Sequence, residues 1–79
     1  MNRRDKQFLQ QIGFRVREQR TARNLTQAQL AALCGLHRTF IGSIERGERN
    51  VAVLSLRAIA ASLRIPVAEL VADPVEQTT

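Results

Sequence analysis

Four side chains between positions 38 and 46 are of the types that read nucleic acid: Arg38, Thr39, Ser43 and Arg46. Arginine presents a planar fork of donors that matches the two acceptors of a guanine edge or two oxygens of a phosphate, and short hydroxyls reach base edges without filling the groove. At about 100° per residue, a helix here turns Ile41 and Ile44 to one side and Thr39, Ser43 and Arg46 roughly opposite, with Gly42 between and Arg38 at the N-terminal shoulder. That polar, short, positive face suits a major groove about 12 Å wide. Arg38 is the candidate for bidentate guanine contact, worth about 1–3 kcal/mol of discrimination. Beyond the helix, Arg46, Arg49 and Asn50 suit backbone phosphates. On the other flank, Gln27 falls in the first turn of the preceding helix, where free backbone N–H groups also attract a phosphate. His37 has two readings, a helix cap or a phosphate contact, beside that of an ordinary exposed histidine.

Positioning such a face requires helices, and the chain is rich in Ala, Leu, Arg, Glu and Gln with no alternating β-branched runs. A first helix is expected from about Asp5 to Arg23, with Phe8, Leu9, Ile12 and Val16 along one side and Gly13 costing it about 1 kcal/mol relative to Ala. Thr26 and Gln29 have capping-box spacing, so a second helix opens there and runs to Cys34, where Gly35 can close it in the left-handed conformation. A third begins near His37 or Arg38 and ends at Arg46 before Gly47. A fourth covers Val53 to Leu63 with Leu56, Ile59, Ala60 and Leu63 at core spacing. Pro66 suits the opening of a short fifth, Val67 to Val71, and the residues from Asp73 and Pro74 onward form a frayed tail. The fold class is all-α: five helices, the second and third joined by a three-residue turn as in a helix-turn-helix.

Composition narrows the function. The chain has 79 residues, a formal net charge of +5 and one cysteine. Residues 1–49 hold ten basic and four acidic side chains, and residues 50–79 hold two and three, so the positive charge is concentrated in the first half. Eleven of the twelve cations are arginines. Apolar runs such as Val51 to Leu54 fall far short of the ~20 residues of a membrane span, and the start of the chain shows no signal-peptide core. One Cys and one His exclude an internal disulfide and leave no structural zinc set, and no acid, base and nucleophile come together, so an enzyme is not expected. Cys34, Phe8 and Phe14 are read as core residues. Val51, Val53, Leu54, Val67, Leu70 and Val71 exceed what one small core requires, and Val53, Leu54, Val67, Leu70 and Val71 are candidates for a dimer interface, with an ordinary core rim as the alternative.

Residues 12–70 resemble the phage-repressor-like (Xre-type) helix-turn-helix family, through Leu25-Thr26-Gln27-Ala28-Gln29-Leu30-Ala31, Cys34-Gly35-Leu36, Ile41, Ile44-Glu45-Arg46-Gly47, Ala60, Leu63 and Leu70. Within it, the stretch from His37 to Asn50 most resembles the controller proteins of restriction–modification systems, whose usual pattern is Arg-Thr-Tyr-Ile-Ser-x-Ile-Glu-Arg-Gly-x-Arg-Asn. Phe40 stands where that pattern has Tyr, and Gly42 where it has Ser. The resemblance implies a compact lambda-repressor-like domain over residues 1–79, with its core at about 6–71 and a tail at 72–79. It implies that Arg38 and Thr39 read base edges with help from Ser43, that Gln27, Arg46, Arg49 and Asn50 contact the backbone, and that Arg20 and Glu45 form a partly buried pair tying helix one to helix three.

The function expected is a sequence-specific, cytoplasmic, nucleoid-associated regulator of transcription. It would bind double-stranded DNA as a homodimer on a pseudo-palindromic operator and, by resemblance, control its own promoter and a neighbouring restriction gene. No cofactor, metal, membrane or small-molecule ligand is expected. The alternatives are an antitoxin or other protein-interaction module that binds DNA secondarily, against which stand the few residues after Val71, and a basic module for RNA or anionic lipid, against which stands the lack of exposed aromatic stacking platforms.

Overall fold

The computed structural model describes residues 2–73, which form five helices: α1 (Arg3–Ala22), α2 (Gln27–Cys34), α3 (Arg38–Glu45), α4 (Val53–Leu63) and α5 (Val67–Val71). The expected tail lies almost wholly outside the described residues. The last four helices sit within a residue of their expected bounds. α1 begins two residues before Asp5 because Asn2 caps it, its side-chain oxygen accepting the Asp5 N–H at 2.9 Å. It stops at Ala22, and Asn24 turns the chain with a φ of 57°.

Local chemistry sets the other boundaries. Both halves of the capping box form: Gln29 N–H donates to Thr26 Oγ1 at 3.0 Å and Thr26 N–H donates to Gln29 Oε1 at 2.8 Å. Gly35 ends α2 at φ 71°, a conformation that costs a residue with a Cβ about 1–2 kcal/mol. Pro66 precedes α5 as its N-cap, and Arg64 closes α4 in the left-handed conformation. A five-residue helix is not stable alone. Here Arg15 Nη1 of α1 donates to the carbonyls of Leu70 and Ala72, at 3.1 and 2.6 Å, and seals the C-terminal end of α5.

The core is one stripe from every helix: Leu9, Ile12 and Val16; Leu30 and Ala31; Ile41 and Ile44; Leu56, Ile59, Ala60 and Leu63; and Leu70. Each large aliphatic side chain buried this way contributes about 1.5–3 kcal/mol. α1 packs against α3 and α5, and α2 against α3 and α4. Gly13 lies where α1 touches α3: a Cβ there would fall 2.3 Å from the Ile44 carbonyl oxygen and 2.6 Å from that of Glu45. The glycine thus weakens its own helix but allows two helices to meet backbone to backbone.

Two apolar assignments change. Phe14 is 64% exposed, because it lies roughly opposite the Leu9–Ile12–Val16 stripe, whereas Phe8 packs against the core as expected. Leu70 is wholly buried under α5 and has no surface to offer a second chain, while Val67 and Val71 are half-buried on the core's rim. Cys34 is half-buried against the core, and its thiol donates to Ser62 Oγ at 3.4 Å, joining α2 to α4.

Candidate nucleic-acid interface

Ile41 and Ile44 anchor α3 in the core, 0% and 1% exposed, and leave Arg38 and Thr39 on the surface at its N-terminal end. His37 caps the helix. Its Nδ1 accepts the Thr39 N–H at 3.2 Å and lies 2.8 Å from the Thr39 hydroxyl. Arg38 has no protein partner among the described residues.

The α2–turn–α3 unit is fixed from behind by one carboxylate. Arg20 of α1 forks onto Glu45, Nε to Oε2 at 2.6 Å and Nη2 to Oε1 at 2.9 Å, with the two side chains 11% and 4% exposed. Nη1 of the same guanidinium donates to the Leu25 carbonyl at 2.7 Å, so the pair also holds the turn into α2. The hydrogen bond to Glu45 is the main reason the Arg20 guanidinium is held even more firmly in its charged form than usual. Glu45 Oε1 takes a further bond, from Gln27 Nε2 at 3.1 Å. This contact had no signal in the sequence, since 18 positions separate the two residues. It restrains Gln27 at the start of α2, where Thr26 uses the Gln29 N–H and leaves those of Gln27 and Ala28 at the positive end of the helix. Gly42, beneath, leaves room for both flanking groups: a Cβ there would meet Arg46 Nη1 at 3.2 Å and Gln27 Oε1 at 3.3 Å.

Ser43 does not lie where the helical wheel puts it. It is only 9% exposed, and its hydroxyl donates to the Phe40 carbonyl at 2.8 Å while accepting from Arg49 Nε at 3.0 Å. The wheel omits the chain's return after Gly47, which brings Glu48 N–H onto the Ser43 carbonyl at 3.0 Å and lays Arg49 over the serine. With its one proton already engaged, Ser43 is not placed to donate to a base. Arg46 is exposed and pairs with Glu48 at 3.1 Å, the side chains 59% and 58% exposed, an arrangement worth at most about 1 kcal/mol. Arg49 and Asn50 are exposed beside it. Among the described residues no group of three or more His, Cys, Asp or Glu side chains is placed to hold a metal ion, and no helix is long and apolar enough to cross a membrane.

Comparison with known proteins gives a consistent picture. The helix-turn-helix family HTH_3 matches residues 16–70. The control protein C.SmaI of Serratia marcescens is 51% identical over 55 residues, 70% of this chain and 66% of that protein. The control protein C.BamHI of Bacillus amyloliquefaciens is 42% identical over 55 residues, 68% of each chain. The chain thus matches about two thirds of the length of these relatives (66% and 68%). Among solved structures, the restriction-modification controller protein C.AhdI from Aeromonas hydrophila superposes with a TM-score of 0.77 at 45% identity, covering 78% of this chain and 94% of that one.

Proposed function

The chain belongs to the HTH_3 helix-turn-helix family, and from that premise we propose that it is a sequence-specific, double-stranded DNA-binding regulator of transcription, acting in the cytoplasm as a homodimer on a pseudo-palindromic operator. The observation that carries this reading is the rigid mounting of α3: Arg38 and Thr39 stand exposed at its end while the Arg20–Glu45 fork fixes its other end and Gln27 together. Readout needs this arrangement, because an arginine discriminates bases only when the helix carrying it enters the groove at one depth and angle. Arg38 contacts a guanine and Thr39 an adjacent base edge, and the Thr39 hydroxyl is already oriented by His37. Gln27, His37, Arg46, Arg49 and Asn50 hold the phosphates on either side, which sets the register without selecting sequence.

Two such helices, one from each protomer, occupy successive major grooves about 34–36 Å apart. The dimer surface is centred on Val53 and Leu54, 75% and 70% exposed at the start of α4, with Val67 and Val71 on its rim. By analogy with the control proteins it resembles, the chain regulates its own promoter and that of a restriction gene.

Fluorescence anisotropy on labelled duplex from immediately upstream of the chain's own gene, beside a scrambled duplex, tests this at two salt concentrations. A preference of ~10³-fold or more for the upstream duplex at near-physiological salt is the expected result. Equal, steeply salt-dependent binding to both would leave only the phosphate term and would turn attention to a protein partner, as an antitoxin has.

A further inference from the structure

Arg49 lies on the surface beyond the last turn of α3, yet its guanidinium is held. Its Nε donates to Ser43 Oγ at 3.0 Å, and its Cζ sits 4.9 Å from the centroid of the Phe40 ring. The serine hydroxyl is itself fixed, donating to the Phe40 carbonyl at 2.8 Å. Residues 40, 43 and 49 therefore form a closed brace: a ring face under the guanidinium plane, a hydroxyl on its inner edge, and a backbone carbonyl that orients the hydroxyl. Five N–H donors make up the guanidinium. The brace uses one, and the four on Nη1 and Nη2 have no protein acceptor among the described residues.

We infer that Ser43 and Phe40 are positioning residues for Arg49, holding its terminal fork ready beside α3 so that it meets a DNA acceptor as a preset bidentate donor. This rests on the reading of α3 as the DNA-binding face. A loop arginine loses most of its rotamer freedom when it is clamped, and one already held by a ring face and a hydroxyl has less to lose on binding. Stacking on Phe40 needs the planar ion that arginine provides. Ser43, with its proton committed and its surface covered, then acts on DNA only through Arg49. The phenylalanine ring carries no hydroxyl where the controller pattern has Tyr, so its part in the brace is stacking alone.

A double-mutant cycle on the whole chain tests this, with affinities for the upstream and scrambled duplexes measured for the parent, Ser43→Ala, Arg49→Ala and the double variant. The exchange rate of the Arg49 Nε–H proton in the DNA-free protein is followed alongside by NMR. Alanine is the better helix former, so Ser43→Ala is not expected to unfold α3. The expected result is a loss of about 2- to 12-fold for Ser43→Ala in the parent, the range that ordering one long side chain represents. No further loss is expected in the Arg49→Ala background, and Nε–H exchange is expected to speed up in Ser43→Ala. Phe40→Leu should follow the same pattern. Equal losses from Ser43→Ala in both backgrounds would overturn the inference, since Ser43 would then act without Arg49. Unchanged Nε–H exchange would also overturn it. If the parent fails to distinguish the two duplexes, the DNA reading fails, and the exchange rates still decide whether the brace exists. A loss confined to the upstream duplex assigns the fork to a base edge, and an equal loss on both assigns it to a phosphate.

Discussion

Under the proposed reading Arg38 and Gln27 both face DNA, but they are held differently, and their variants should separate accordingly. Arg38 is exposed and free of protein acceptors among the described residues, so in the proposed complex its value depends on the base it meets. Arg38→Ala should relax preference at one base pair per half-site, at about 1–3 kcal/mol, in a binding assay over a panel of single-base operator variants. Gln27 is half-buried and bonded to Glu45, so Gln27→Ala should weaken all sequences about equally in the same panel. Behind both lies Arg20. Removing it leaves Glu45, 4% exposed, without its cation. Loss of one partner from a buried pair costs about 3–5 kcal/mol, so Arg20→Ala should lower the urea midpoint sharply.

At the scale of the helices, the contact between α1 and α3 gives the clearest test. Helix propensity alone predicts that Gly13→Ala stabilises α1 by about 1 kcal/mol. The Ile44 carbonyl oxygen only 2.3 Å from the added carbon predicts the reverse. Backbone on both sides cannot yield as a side-chain tip can, so the variant should be destabilised by about 2 kcal/mol or more in chemical denaturation. A rise in the midpoint would mean that the two helices are not packed this closely. The short α5 makes the same point, since it persists through Leu70 in the core and the Arg15 bonds to its carbonyls and not through its own propensity.

For the molecule as a whole, charge and exposed apolar surface fall on different halves of the chain. Ten of the twelve cations lie in residues 1–49, with the helix-turn-helix, while Val53 and Leu54 stand exposed on the part that follows. Because these two side chains contribute little to the protomer's core, Val53→Glu with Leu54→Glu should leave the helical content and melting behaviour of the protomer intact. The double variant should sediment as a monomer and lose about 100-fold or more in affinity for a two-half-site operator, since the second contact is no longer intramolecular. Retention of the dimer in sedimentation would move the interface elsewhere, and the exposed Phe14 would be the next surface to test.

Much of this protein is written in short-range chemistry. The Thr26–Gln29 box, the left-handed Gly35 and the periodic stripes of α1 and α4 are decided within a few residues of themselves, so the five helices and the exposed Arg38 and Thr39 were legible from the sequence. A resemblance in the motif added the Arg20–Glu45 pairing, which no local pattern contains. Tertiary structure decided what depends on segments meeting across the fold. It put Gly13 against a carbonyl, turned Phe14 to solvent and sank Leu70 into the core. It also covered Ser43 with Arg49 and tied Gln27 to Glu45. A helical wheel reports the direction of a side chain from its own axis. Whether that direction ends in water, in a core or under a returning loop is fixed by what packs there, and that depends on residues far away in the chain.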